Sequence, residues 1–196
     1  MKRALAVLVL LLLALAAGGI FLLRRGYSAL EQPSHAEEAI ARRLRHLATP
    51  AWARAQVNPL PAGAAVLADA RVHFADHCAT CHANDGSGDT PMGRGLYPKA
   101  PDMRQAATQS LSDGELFYVI SHGVRFTGMP GWGHGPAQDR DTWALVHFIR
   151  RLPGLTAAEL AEMKALNPRS PQEMQEDKDE EAFLRGEDPA PQGHQH

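Results

Sequence analysis

The feature that most constrains this chain is a five-residue run, Cys78-Ala79-Thr80-Cys81-His82. Two thiols separated by two residues can each form a thioether with one of the two vinyl groups of a haem, and the adjacent histidine can then bind the iron. A chain that carries such a group must pack around a large apolar ring. The run therefore predicts one covalent haem c, attached through Cys78 and Cys81, with His82 as the proximal axial ligand.

Two other kinds of site also use a C-x-x-C pair. A thioredoxin-like redox site needs a βαβ context, which the flanking sequence does not show. A zinc site needs a second pair of ligands, and the chain has only two cysteines, both within this run. Haem attachment is therefore the preferred interpretation.

The N-terminus carries an uncharged apolar segment, residues 4–23, with two basic residues at each end. A helix of about 20 residues spans about 30 Å, the thickness of the hydrocarbon layer of a membrane. A cleaved signal peptide is the alternative, because residues 14–16 offer a small-x-small site. The apolar run continues past that site, so residues 1–25 are predicted to be an uncleaved membrane anchor.

Residues 26–61 are predicted to form a juxtamembrane spacer with one short helix. Ser34 and Glu37 have the spacing of a capping box at its start. Ile40, Leu44 and Leu47 line one side of this helix. Its arginines, Arg42, Arg43 and Arg45, lie elsewhere around it and are expected to face solvent, with contact to anionic lipid as the alternative.

The core domain is predicted to span residues 62–153 and to be helical. An apolar i, i+4, i+8 repeat that ends at Phe74 predicts a helix leading into the cysteine run. A second capping box begins at Ser112, and Asp139 or Asp141 is expected to cap the last helix. A domain of about 90 residues is marginal on its own, and a buried haem would complete its core.

Two segments follow the core domain. Residues 154–170 are predicted to form a short C-terminal helix. Residues 171–196 contain eight acidic side chains and end in Pro, Gly, Gln and His. This composition buries little apolar surface, so the segment is predicted to be a flexible acidic tail.

Met129 is the preferred distal ligand of the iron. It lies in a Gly-Met-Pro sequence between two predicted helices. The glycine allows the chain to approach the haem closely, and the proline fixes the backbone after the methionine. A thioether ligand raises the reduction potential, which suits an electron carrier. An open sixth position is one alternative, and the others are downstream methionines and histidines: Met92, Met103, Met163, Met174, His122, His134 and His147.

Taken in order, these motifs resemble the class I c-type cytochromes. The matching pieces are the cysteine run, the proline-bearing loop 98–102, the helix 111–123, the Gly-Met-Pro loop and the helix 143–152. The resemblance implies an all-α fold in which the first and last helices of the domain cross. The contacts implied at that crossing are those of Ala70 and Phe74 with Leu145 and Ile149.

The resemblance also has implications for the haem surroundings and for location. A carbonyl of Pro98 or Pro101 is expected to orient His82. Tyr97, Trp132 and Trp143 are candidates for contacts with the ring or its propionates, with ordinary core packing as the alternative. Bacteria attach haem to such motifs outside the inner membrane, so the haem domain is expected to face the periplasm.

The predicted function is a membrane-tethered carrier of single electrons, with the inner membrane and redox proteins as partners. The net charge of −2 argues against nucleic acid as a partner. The sequence shows no Ser/His/Asp set and no paired carboxylates at a plausible site, so an enzyme is not expected. The alternatives are a haem-bearing subunit of a larger oxidase or dehydrogenase, and a haem peroxidase or ligand sensor with a displaceable sixth ligand.

Overall fold

All regular elements in the described part of the chain are helical, as predicted for an all-α fold. The computed structural model describes residues 2–26, 28–133, 135–169 and 171–186. Its α-helices are α1 (Lys2–Arg25), α2 (His35–Ala48), α3 (Ala51–Arg54), α4 (Ala64–His73), α5 (Ala79–His82), α6 (Pro91–Gly95), α7 (Ala106–Gln109), α8 (Asp113–His122), α9 (Pro136–Arg151), α10 (Ala157–Leu166) and α11 (Pro171–Leu184). A π-helical turn, Phe74–Cys78, joins α4 to α5, and a 3-10 turn, Leu152–Gly154, follows α9.

Helix α1 contains the segment Lys2–Arg24, which is long and apolar enough to cross a membrane. Its side chains are not buried against the rest of the described chain. Nine residues, 26–34, connect α1 to α2.

Helix α2 begins at the predicted capping box. The Ser34 hydroxyl accepts a hydrogen bond from the Glu37 amide at 3.3 Å, and the Ser34 amide donates to the Glu37 carboxylate at 2.7 Å. These two bonds satisfy amides that have no partner within the helix. The same arrangement starts α8 at Ser112 and α10 at Thr156.

The core is formed where α4 and the π-helical turn cross α9. Ala70 and Phe74 on one side and Leu145 and Ile149 on the other belong to one buried cluster. The rings of Phe74 and Phe148 lie with their centroids 5.0 Å apart, which adds a tilted aromatic contact. The predicted crossing is therefore present.

The start of α9 differs from the prediction. The helix begins at Pro136, with Gly135 before it, and not at a cap formed by Asp139 or Asp141. Proline suits a first helical position because its φ is already helical and its missing amide would have had no partner. Asp139 instead lies in the first turn, where its charge favours the helix dipole.

The acidic segment contains a helix. Helix α11, Pro171–Leu184, lies within the part of the chain predicted to be a flexible tail. The Gln175 side chain donates to Asp179 at 2.8 Å along this helix. Residues 187–196 lie outside the described part of the chain, and the flexibility of the tail stays a prediction.

The segment predicted to be a spacer is packed against α8. Ala53 in α3 is fully buried, and the Ser112 hydroxyl donates to the Arg54 carbonyl at 2.9 Å. The His46 imidazole lies 2.9 Å from the Glu115 carboxylate. Helices α2 and α3 are thus docked on the core domain.

Gly114 is where α8 approaches α3 most closely. An added Cβ would lie 1.9 Å from the Ala53 carbonyl oxygen. Gly114→Ala is therefore expected to destabilise the protein by roughly 1–3 kcal/mol, although alanine is the better helix former. Thermal unfolding followed by circular dichroism measures the effect. The control is Gly95→Ala, because a Cβ on that helical glycine meets nothing within 4 Å; equal Tm values for the two variants would contradict the packing.

Candidate cofactor site

An apolar cavity of about 460 Å³ lies within the helical core. Cys78, Cys81, His82 and Met129 all line it. Its volume falls within the range of roughly 300–1,000 Å³ that is usual for cofactor and ligand sites. Most of the wall is hydrophobic: Phe74, Leu96, Met103, Leu111, Leu116, Val119, Ile120, Leu145 and Ile149.

The π-helical turn delivers the cysteine run to the cavity. Phe74 and Ala75 anchor the start of this turn in the buried core. Cys78 ends the turn, and the single turn of α5 then carries Cys81 and His82. A π-helical turn shifts the register of the side chains that follow it, which is a common device at functional sites.

The two thiols are not those of a reactive dithiol. Burial, and then the neighbouring Cys81, raises the pKa of Cys78 to about 12. Burial also raises the pKa of Cys81. A thioredoxin-like site needs a lowered thiol pKa. In the described part of the chain, no three His, Cys, Asp or Glu side chains come together to hold a metal ion, which disfavours a zinc site.

His82 is suited to be a metal ligand. Burial lowers its pKa, so the imidazole favours the neutral form that can bind a metal, while the Pro101 carbonyl acts in the opposite direction. Its Nδ1 is buried and makes no well-formed hydrogen bond with a described residue. The proline-loop carbonyl beside His82 is that of Pro101 and not that of Pro98.

The glycine-rich loop after the cysteine run and the helix α6 that follows it each make one close backbone approach. Gly88 has φ +74°, and a Cβ on it would lie 2.3 Å from the Ala100 carbonyl oxygen. A Cβ on Gly93 would lie 2.3 Å from the Cys81 carbonyl oxygen. The Thr90 hydroxyl also donates to the Thr80 carbonyl at 2.8 Å. The loop therefore fastens the proline-bearing segment to the cysteine run.

Ionic contacts also join the glycine-rich loop to the proline-bearing segment. The Arg104 guanidinium contacts Asp102 at 2.8 Å and Asp85 at 2.7 Å. The hydrogen bond from Arg104 is the main reason that the pKa of Asp102 is lowered to about 2. The segment that carries Pro101 is thus held next to the loop that follows His82.

The Met129 loop is held against the end of α8. Gly123 has φ +66°, and a Cβ on it would come within 2.6 Å of the Met129 carbonyl oxygen. The Val124 amide donates to that same carbonyl at 3.1 Å, and the Met129 amide donates to the Thr127 hydroxyl at 3.1 Å. The positive φ and the close approach explain why glycine stands at position 123.

Most other candidate ligands lie elsewhere. Met92 is exposed and outside the cavity, whereas Met103 lines its wall. The His122 ring stacks on Tyr118, and His147 contacts the Leu60 carbonyl at 2.8 Å. Met163 is buried in the core cluster without lining the cavity, and Met174 is on α11. His134 lies outside the described part of the chain.

The three aromatic candidates have different surroundings. Trp132 lines the cavity, and its amide donates to the Ile120 carbonyl at 3.0 Å. Trp143 does not line it and stacks on Phe117 with ring centroids 4.2 Å apart, which is core packing. The Tyr97 hydroxyl donates to the Glu37 carboxylate at 3.1 Å, across to α2.

Three charged residues of α2 lie at the cavity and were not predicted there. Glu38, Arg42 and Arg45 of α2 line the cavity, although the arginines of this helix were expected to face solvent. Their spacing places them on one side of α2, opposite its apolar residues. Helical periodicity reveals such a polar side, but it does not tell what that side contacts.

The crossing helices, the cysteine run on the cavity wall and the helical fold together define a class I c-type cytochrome domain. Residues 65–149 match the family model described as cytochrome c oxidase, cbb3-type, subunit III. The family implies haem c as the cofactor and haem-based electron transfer as the activity, either as a carrier or within an oxidase. The match leaves α1, α2, α3, α10 and α11 outside the common domain.

Proposed function

We propose that this protein is a membrane-anchored monohaem c-type cytochrome that passes single electrons between redox proteins at the periplasmic face of a bacterial inner membrane. The observation that carries the proposal is one apolar cavity with Cys78, Cys81, His82 and Met129 on its wall. When bound there, a haem c supplies the Fe(III)/Fe(II) couple. Helix α1 supports the anchor by its length and composition.

Each of these residues has a separate task in the proposal. Cys78 and Cys81 retain the cofactor through two thioethers. His82 would supply a nitrogen ligand, and the Pro101 carbonyl beside it would orient the imidazole. Met129 would supply a thioether ligand from a loop that is fixed at the end of α8. The apolar wall keeps water away, which favours the less charged reduced state.

Purification of the full chain from detergent-solubilised membranes tests this function. The intact mass is expected to include residues 1–25 and one haem. The reduced protein is expected to bind carbon monoxide slowly or not at all, because Met129 occupies the sixth position. A mass without haem would overturn the proposal, and rapid binding of carbon monoxide would indicate a peroxidase or sensor instead.

The family match favours a second candidate function. The matching model describes a subunit of a cbb3-type oxidase, so this chain is also a candidate haem-bearing subunit of a larger oxidase. The same purification separates the two functions. A free carrier elutes alone, whereas a subunit elutes with other polypeptides in fixed ratio.

A further inference from the structure

Helix α2 lies on the domain with its polar side inward. Glu38 and Arg45 are its only half-buried side chains within the described residues 35–48, and both line the cavity. The apolar side of the helix, Ile40, Leu44 and Leu47, is at least 60% exposed. Amphipathic helices normally bury the apolar side. The polar side of α2 is therefore the side that borders the cavity.

Arg45 is the side chain that lacks a partner. No hydrogen bond or ion pair of its guanidinium is found among the described residues, although it is half-buried beside an apolar cavity. Glu115 attracts it, but that carboxylate already contacts His46 at 2.9 Å and the Ser112 amide at 2.8 Å. Burial lowers the pKa of Arg45, which reflects the cost of holding this cation there. A partly buried cation of this kind is stabilised by an anion.

The charged side chains that line the cavity carry a net positive charge, because Arg42, Arg45 and Lys99 outnumber Glu38. Arg42 contacts Glu38 at 3.4 Å, so one carboxylate of α2 is already engaged by one cation. Lys99 and His77 are the remaining titratable groups that line the wall, apart from Cys78, Cys81 and His82. The surplus charge suits a group with two carboxylates.

We infer that Arg45, with Arg42 beside it, pairs with the carboxylates of the haem and makes α2 part of the cofactor site. This inference rests on the proposed function, because the two carboxylates in question are those of a bound haem. A haem attached through its vinyl groups at Cys78 and Cys81 would carry its carboxylates away from those two thioethers. Arg45 lines the same cavity from a separate element, α2.

A cation at the haem carboxylates affects the iron. It offsets their negative charge, which otherwise favours Fe(III) over Fe(II). Arg45→Gln is therefore expected to shift the equilibrium toward Fe(III) by about three- to tenfold. For a one-electron couple, tenfold corresponds to a midpoint potential that is lower by about 59 mV. Arg45→Lys keeps the charge and is expected to restore most of the potential.

The experiment is a spectroscopic redox titration of the full-length holoprotein and its variants. Arg43→Gln is the matched control, because it removes the same charge from the same helix at an exposed position that does not line the cavity. Its potential is expected to stay close to that of the unaltered protein, since solvent and salt screen an exposed charge. Haem content, measured for every variant, is expected to be lower in Arg45→Gln than in Arg45→Lys if the pair also retains the cofactor.

Equal potentials for Arg45→Gln and Arg43→Gln would overturn the inference. Loss of haem from both Arg45→Gln and Arg45→Lys would overturn it as well, because the side chain would then act by packing and not by charge. Loss of haem from Arg45→Gln alone would support it. Failure of the proposed function gives a different result, since the unaltered protein would then carry no haem or would bind carbon monoxide rapidly, whatever residue stands at position 45.

Discussion

The Cys78→Ser, Cys81→Ser double variant is expected to carry no haem that survives denaturation. Both thioethers would be absent, so only the axial ligands and the apolar wall would hold the cofactor, and denaturation removes them. Haem staining of a denaturing gel and the intact mass measure the covalent attachment. Thr80→Ser is the control, because it alters the same run without removing a thiol. Covalent haem in the double variant would contradict the assignment of Cys78 and Cys81.

The same double variant is expected to lose most of its fold. Without the cofactor, a cavity of about 460 Å³ would remain in the core. Its apolar wall would then contact water, and the apolar burial that the ring supplies to the core would be lost. The whole stability of a typical domain is only about 5–15 kcal/mol, so such a loss is expected to unfold much of the domain. Helical circular dichroism is expected to fall strongly in the double variant and to stay unchanged in Thr80→Ser.

Met129→Leu is expected to abolish the weak Met–Fe absorption band and to open the sixth position to carbon monoxide. Leucine conserves the volume of methionine, so the fold is expected to persist. The midpoint potential is expected to fall by on the order of 0.1 V. Changes of axial ligand alter haem potentials over a range of roughly 0.8 V. Difference spectra with carbon monoxide and a redox titration measure the two effects.

Met92→Leu is the control for this experiment, because Met92 is exposed and lies outside the cavity. An absorption band that persists in Met129→Leu would assign the distal ligand elsewhere. Met103 would then be the candidate to test, since it also lines the cavity.

The parts of this structure that sequence could predict depend on short-range chemistry. The capping boxes at Ser34 and Ser112 are formed by residues three positions apart, and both are present. The crossing of α4 and α9 could be anticipated because the family resemblance indicated that the apolar side of the first helix of the domain packs against that of the last. The start of α9 was misplaced because an aspartate and a Gly-Pro pair are both good helix starts, and sequence alone does not rank them.

The parts that could not be predicted depend on which surfaces meet. Periodicity separates the apolar and polar sides of α2 but does not assign either side to the core. The usual assumption puts Ile40 and Leu44 inside, whereas the structure exposes them. The same limit applies to the choice between Pro98 and Pro101, since two carbonyls three residues apart differ only in where the loop turns.

The short connection between α1 and α2 limits how the domain can move. Residues 26–34 can extend to about 30 Å at most. If α1 is the proposed anchor, the domain stays within about this distance of the end of α1 at the membrane surface. For a membrane partner held beside α1, the effective concentration of the domain is in the millimolar range. Collisions with neighbouring membrane proteins then depend on lateral diffusion in two dimensions and not on encounters in bulk solution.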